Sequence, residues 1–173
     1  MLKKVSALFL SLLVGISVLS ASPAYAVSDS SEGTPTSGIR SADPNHATGL
    51  YNTEGKGGMS PNATGLLSSV SLDLYRGSGN TLILDGTTIG TQILDKIGFQ
   101  NITLQRWQNN QWANVKVWST YKNNSQSYDY EYKTTVTPGY DYRYVATHFG
   151  EIDFLGIPSI ETYYNVTSYL HVG

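Results

Sequence analysis

The 173-residue chain contains no cysteine, which excludes disulfide staples, thiolate nucleophiles and cysteine-ligated metals. Charge is scarce as well. Asp, Glu, Lys and Arg make up 14% of the residues, and 11 basic against 13 acidic side chains give a formal net charge of −2. Nucleic-acid binding needs clustered Lys and Arg to neutralise phosphates, and no such cluster occurs, so a nucleic-acid partner is not expected. Long hydrophobic runs are missing too, apart from one at the N-terminus. There Lys3 and Lys4 precede an apolar stretch at 5–19, and Ala24-Tyr25-Ala26 places small residues where a signal peptidase reads them. The run is too short to span a bilayer. Residues 1–26 therefore read as a secretory signal, with the product secreted, extracellular and free of membrane segments after cleavage. Loss of the two lysines takes the net charge from −2 to −4.

Glycine, tyrosine and small polar residues are plentiful. Residues 27–67 are rich in Ser, Gly, Thr, Asn and Pro and hold too little apolar surface to offset the entropy of ordering. They read as a disordered polar leader in which His46 and Tyr51 are the side chains able to dock locally. From residue 68 to 173 apolar and polar residues alternate between turn signals, which predicts one all-β domain, a single antiparallel β-sandwich of about seven strands. The strands are expected at 70–76, 81–89, 99–108, 111–121, 128–136, 140–149 and 160–172. Asp85-Gly86 reads as a bulge or turn, and 91–96 as a short helical turn.

The sharpest local signal is Trp107-Gln108-Asn109-Asn110-Gln111-Trp112. Asparagine tolerates positive φ, so Asn109-Asn110 suits a two-residue hairpin turn. That turn pairs Gln108 with Gln111 and Trp107 with Trp112. An unbroken ladder would then put Arg106/Ala113, Leu104/Val115 and Ile102/Val117 on one face. The other face would carry Trp107/Trp112, Gln105/Asn114, Thr103/Lys116 and Asn101/Trp118. A one-residue slip would scramble both faces.

A second signal is Val136-Thr137-Pro138-Gly139-Tyr140-Asp141-Tyr142, followed by Tyr144 and Ala146 at alternate positions. It resembles the tyrosine corner of fibronectin type III domains. The resemblance implies an immunoglobulin-like sandwich in which Pro138 and Gly139 turn the chain and the Tyr142 hydroxyl bonds back to the backbone. The tryptophan usual on the second strand of such domains is absent. More widely, the strings ITLQRWQNNQWANV at 102–115 and VTPGYDYRYVATH at 136–148, behind a signal peptide and polar leader, are similar to a family of small secreted bacterial proteins catalogued as a domain of unknown function. That likeness brings no activity, cofactor or catalytic residue with it.

Candidate chemistry is sparse. His148, with Glu151 and Asp153 beyond it, could serve a secreted hydrolase only if a serine and a carboxylate converged on it. No Gly-x-Ser-x-Gly elbow is present. His148 shares strand parity with Tyr144 and Ala146, so a half-buried, hydrogen-bonded histidine is the expectation, with no catalytic residue assigned. No histidine pair sits at metal-ligand spacing, so neither metal nor cofactor is expected. The best lead is the aromatic face, where Trp107, Trp112 and Trp118 with Gln105 and Asn114 suit stacking on a carbohydrate or peptide. The alternative is that the leader, a loop or another subunit covers these rings, with Arg143 stacked on one of them. The resulting expectation is a non-catalytic extracellular binding protein, with a hydrolase using His148 or an oligomer-forming structural protein as alternatives. N-terminal sequencing of secreted material should read Val27 first; a chain still beginning at Met1 refutes the signal.

Overall fold

The structure, a computed structural model, describes residues 38–49 and 65–173, all within one compact unit. The predicted signal peptide and most of the leader lie outside the described residues. The protein is all-β. Strands β1 (His46–Thr48), β2 (Leu67–Arg76), β3 (Thr81–Gln108), β4 (Gln111–Thr135), β5 (Tyr140–Phe154), β6 (Ile157–Val166) and β7 (Leu170–Val172) pair antiparallel in one hydrogen-bonded sheet.

The layout follows from the length of β3. One of its edges pairs with β4 from end to end; the other pairs first with β2 (82–90) and then with β5 (96–106). The sheet therefore has two halves sharing one ribbon. Inward side chains of both halves meet in one core: Leu72 and Leu74 of β2, Leu82 and Leu84 of early β3, Phe99 and Leu104 of late β3, Tyr144 of β5 and Leu170 of β7. The ribbon turns where the β3–β4 ladder breaks between Ile89 and Leu94, and Asn124 on β4 takes φ 49° nearby. The turn folds β4 back toward itself. Trp118 Nε1 donates to the Tyr130 hydroxyl at 3.0 Å, Thr120 and Tyr128 hydroxyls lie 2.6 Å apart, and Lys116 donates to Tyr132. The rings of Tyr128, Tyr130 and Tyr132 stack in a ladder that lines the side of the core.

Several expectations need correction. The strands expected at 81–89 and 99–108 are one strand, as are those at 111–121 and 128–136; the one expected at 160–172 divides into β6 and β7. Residues 91–96 are extended, not helical. Asp85-Gly86 is neither a bulge nor a turn: Gly86 pairs with Leu72 in an unbroken ladder, and glycine suits the position because Phe99 packs 2.8 Å from where a Cβ would be. The hairpin register holds from Gln108/Gln111 to Gln105/Asn114 and then slips at a bulge. Beyond it Leu104 faces Lys116 and Ile102 faces Trp118, leaving Val115 and Val117 in solvent at 51% and 53% exposure. Part of the predicted leader is ordered. β1 pairs with β2, Ala47 is fully buried, and His46 stacks 4.3 Å from Tyr75 and bonds Asp73. Free backbone groups on the edge of β2 recruit this short strand, which composition alone does not reveal.

The corner is as expected. Tyr142 donates to the Thr137 carbonyl at 2.8 Å, Gly139 takes φ 86°, and Tyr144 and Ala146 are buried. The Tyr144 hydroxyl is buried as well but has no hydrogen-bond partner among the described residues. The two tyrosines should then respond oppositely. Tyr142→Phe should cost about 0.5–1.5 kcal/mol, whereas Tyr144→Phe should be neutral or stabilising, because it removes an unsatisfied group. Denaturant unfolding of the two variants in the reverse order refutes the assignment.

Candidate functional site

The tryptophan face is largely filled by the protein's own side chains. Trp107 is 2% exposed, and its indole N–H has no partner among the described residues. Trp112 is half-buried, edge-on to Trp107 at 5.3 Å, 5.7 Å from Tyr169, with the Arg143 guanidinium 4.3 Å above its ring. Arg143 Nε donates to Gln105 Oε1 at 2.8 Å, and Gln105 Nε2 donates to Asn114 Oδ1 at 2.9 Å. The segment around Gly38 lies over Trp112, so close that a Cβ on Gly38 would sit 3.6 Å from the ring. Two backbone hydrogen bonds fasten that segment, from Ser41 N to the Tyr169 carbonyl and from Tyr169 N to the Ile39 carbonyl. Trp107, Trp112, Gln105 and Asn114 thus come together, cemented by Arg143. Trp118 does not join them: the bulge turns it to the core side, against Tyr132 and Tyr144.

A more open site lies further along β3. Here the strand slips register against both neighbours, between Phe99 and Ile102 toward β4 and between Gln100 and Thr103 toward β5. Bulges of this kind re-aim side chains and are common beside functional sites. Asn101, at the break, takes φ 51°, and its backbone N–H donates to Ser119 Oγ at 3.0 Å. The result is a cleft of about 360 Å³ whose lining includes Tyr121, Phe149, Gln100, Asn101 and Ser119, with the Lys96–Glu151 pair on its wall. Gly98 pairs with both Tyr121 and Phe149, and a Cβ there would fall 2.4 Å from the Thr120 carbonyl oxygen, so no side chain separates the two rings.

The cleft has one rigid aromatic surface and several polar edges. Phe149 is 4% exposed and Tyr121 53%, their rings meeting edge-on at 6.3 Å. Lys96 Nζ donates to Glu151 Oε1 at 2.8 Å, and that hydrogen bond raises the Lys96 pKa above its ordinary value. Amide, hydroxyl, ammonium and carboxylate groups beside an exposed ring can hold a ligand with both an apolar face and hydroxyls. The sequence reading missed Tyr121 and Phe149, which fall at the ends of predicted strands in no motif. The available signal was Gly98-Phe99-Gln100-Asn101, where glycine and asparagine interrupt a strand pattern that disfavours both.

His148 is fully buried, not half-buried. Its Nδ1 lies 2.8 Å from Thr88 Oγ1, its Nε2 lies 3.4 Å from the Asn165 amide, and its ring packs on Phe99 at 4.7 Å. These are a threonine and an amide, where the hydrolase reading required a serine and a carboxylate. No family model matches the chain, and no curated protein or solved structure is significantly similar to it. Burial drives the His148 pKa down to about 3. In the unfolded chain it titrates near its ordinary value of about 6.5, so between the two values only the unfolded state takes the proton. Stability should therefore fall as the pH drops through that window, by up to about 1.4 kcal/mol per pH unit. His148→Gln should flatten this dependence below pH 6; equal slopes for the two proteins refute it.

Proposed function

We propose that the chain is a secreted, non-catalytic binding protein that holds a saccharide in the cleft lined by Tyr121 and Phe149. The observation that carries this reading is the exposed Tyr121 ring beside Gln100, Asn101 and Ser119, in a hollow of about 360 Å³. A flat ring covers the apolar face of a sugar, and the neighbouring amides and hydroxyl exchange hydrogen bonds with its hydroxyl groups. The Lys96–Glu151 pair adds a charged donor and a charged acceptor at the wall. Extracellular action rests on the signal-like residues 1–26. The Tyr142 corner and the core shared by both sheet halves support an immunoglobulin-like sandwich related to fibronectin type III domains, in the uncharacterised secreted family that the sequence resembles.

The test is a screen of soluble glycans and cell-wall fragments, followed by titration calorimetry. Tyr121→Ala should weaken binding by about tenfold or more, since exposed aromatic anchors act as hot spots. The melting temperature should hardly change, because the ring is 53% exposed. A bound glycan whose affinity survives both Tyr121→Ala and Gln100→Ala overturns the assignment, as does a screen in which only peptides bind.

A further inference from the structure

The most exposed large apolar side chains among the described residues are Leu155 (87%), Phe154 (73%), Ile157 (72%) and Ile93 (66%). Phe154 and Ile157 form the last cross-strand pair of the β5–β6 hairpin, and Leu155-Gly156 is its two-residue turn. Both turn residues have positive φ, 55° and 81°, as in the type I′ turn that favours Asn-Gly. Leucine is strained there, since its Cβ crowds the backbone in the left-handed region. The other positive-φ residues among those described are all asparagine or glycine. The turn is nevertheless firmly held. Asp153 Oδ1 accepts from Gly156 N at 2.6 Å, and Asp95 Oδ2 accepts from Asp153 N at 2.6 Å. The apex is thus a fixed apolar point with a collar of two carboxylates.

Tyr142, near the other end of β5, lies 12 residues back along the strand from Phe154, roughly 40 Å at strand rise. It lines a groove of about 450 Å³ with Leu104, Val115 and Val136, and the charged residues on that groove, Arg106 and Lys116, are both cations. We propose that this groove receives the apex of a second copy of the chain, so that the protein assembles head to tail. The convex partner is apolar with an acidic collar, and the concave one is walled by valines and threonines beside two basic residues. The collar opposes the other occupants. Tip-to-tip contact would crowd four carboxylates, and an anionic bilayer would repel them. Because apex and groove lie far apart on one molecule, the contact is heterologous and propagates into an open filament or a ring. This proposal does not depend on the saccharide reading, and its test involves no glycan.

Sedimentation velocity over a concentration series should show a mass that rises with protein concentration and falls with added salt, which screens the collar. Leu155→Asn suits the positive-φ turn, so this variant should melt no lower than the parent while self-association weakens by about tenfold or more. Val115→Glu places a carboxylate at a 51%-exposed groove position and should weaken association equally without unfolding the protein. Each variant damages a different half of the interface, so mixing them in equal amounts should give dimers and nothing larger. A parent that stays monomeric at every concentration overturns the proposal, as does either variant that assembles like the parent. A monomer that cosediments with phosphatidylcholine vesicles also overturns it and assigns the apex to a bilayer.

Discussion

The packing of Phe99 on the bare α-carbon of Gly86 holds the two halves of the sheet together. Both residues belong to β3, but they lie on opposite sides of the bend, and a Cβ on Gly86 would fall 2.8 Å from the ring. The bend is needed because β3 lends the same edge first to β2 and then to β5. A flat ribbon of this length would leave Leu72, Leu74 and Leu84 on one half with nothing to bury them. Folding it makes the late-β3 and β5 side chains their partners. Next to this contact, Thr88 and His148 reach across from the two halves and satisfy each other. The histidine stays neutral there because nothing in its surroundings compensates a buried charge.

That bend explains which parts of the fold were legible in the sequence. Asn109-Asn110 and the Tyr142 corner are local devices, in which a few adjacent residues carry the whole geometry, and both stand where their residue types placed them. The continuity of β3 and β4 is not local. Gly86 looks like punctuation until Phe99, thirteen positions on, is known to need its missing side chain. Residues 91–96 lack clean alternation because the ladder to β4 is interrupted there, not because the backbone leaves the extended form. The ordering of His46–Thr48 depends on an open edge of β2, which only the assembled sheet offers. All-β class and antiparallel pairing follow from periodicity; the joining of strands into one folded ribbon does not.

The candidate site shows the same division. Aromatic composition directed attention to the hairpin tryptophans, yet large rings are the residues a small β-protein most needs for its own packing. Arg143 seals Trp112, and the bulge beyond Gln105 sends Trp118 to the other face, so identical side chains have different surroundings eleven and six positions apart. The open cleft is created by irregularity in the backbone. Asn101 takes positive φ where β3 slips register against both neighbours, and the missing side chain of Gly98 lets the Tyr121 and Phe149 rings meet. Neither effect has a periodicity to find.

Positive φ then separates structural asparagines from one exceptional position. Asn109 and Asn110 make a hairpin, Asn124 accompanies the bend, and Asn101 opens the cleft. Asparagine enters this conformation at little cost, and each instance serves the fold locally. Leu155 does neither. Its side chain is 87% exposed and contributes almost nothing to the core, while its backbone bears a strain that asparagine would relieve. Two carboxylates anchor the turn in that shape, so the conformation is built in and not incidental. A residue that breaks the local rule without gain in folding points to a gain elsewhere. Burial of the leucine in a second copy is the gain proposed above for an apex that the protein's own core does not use.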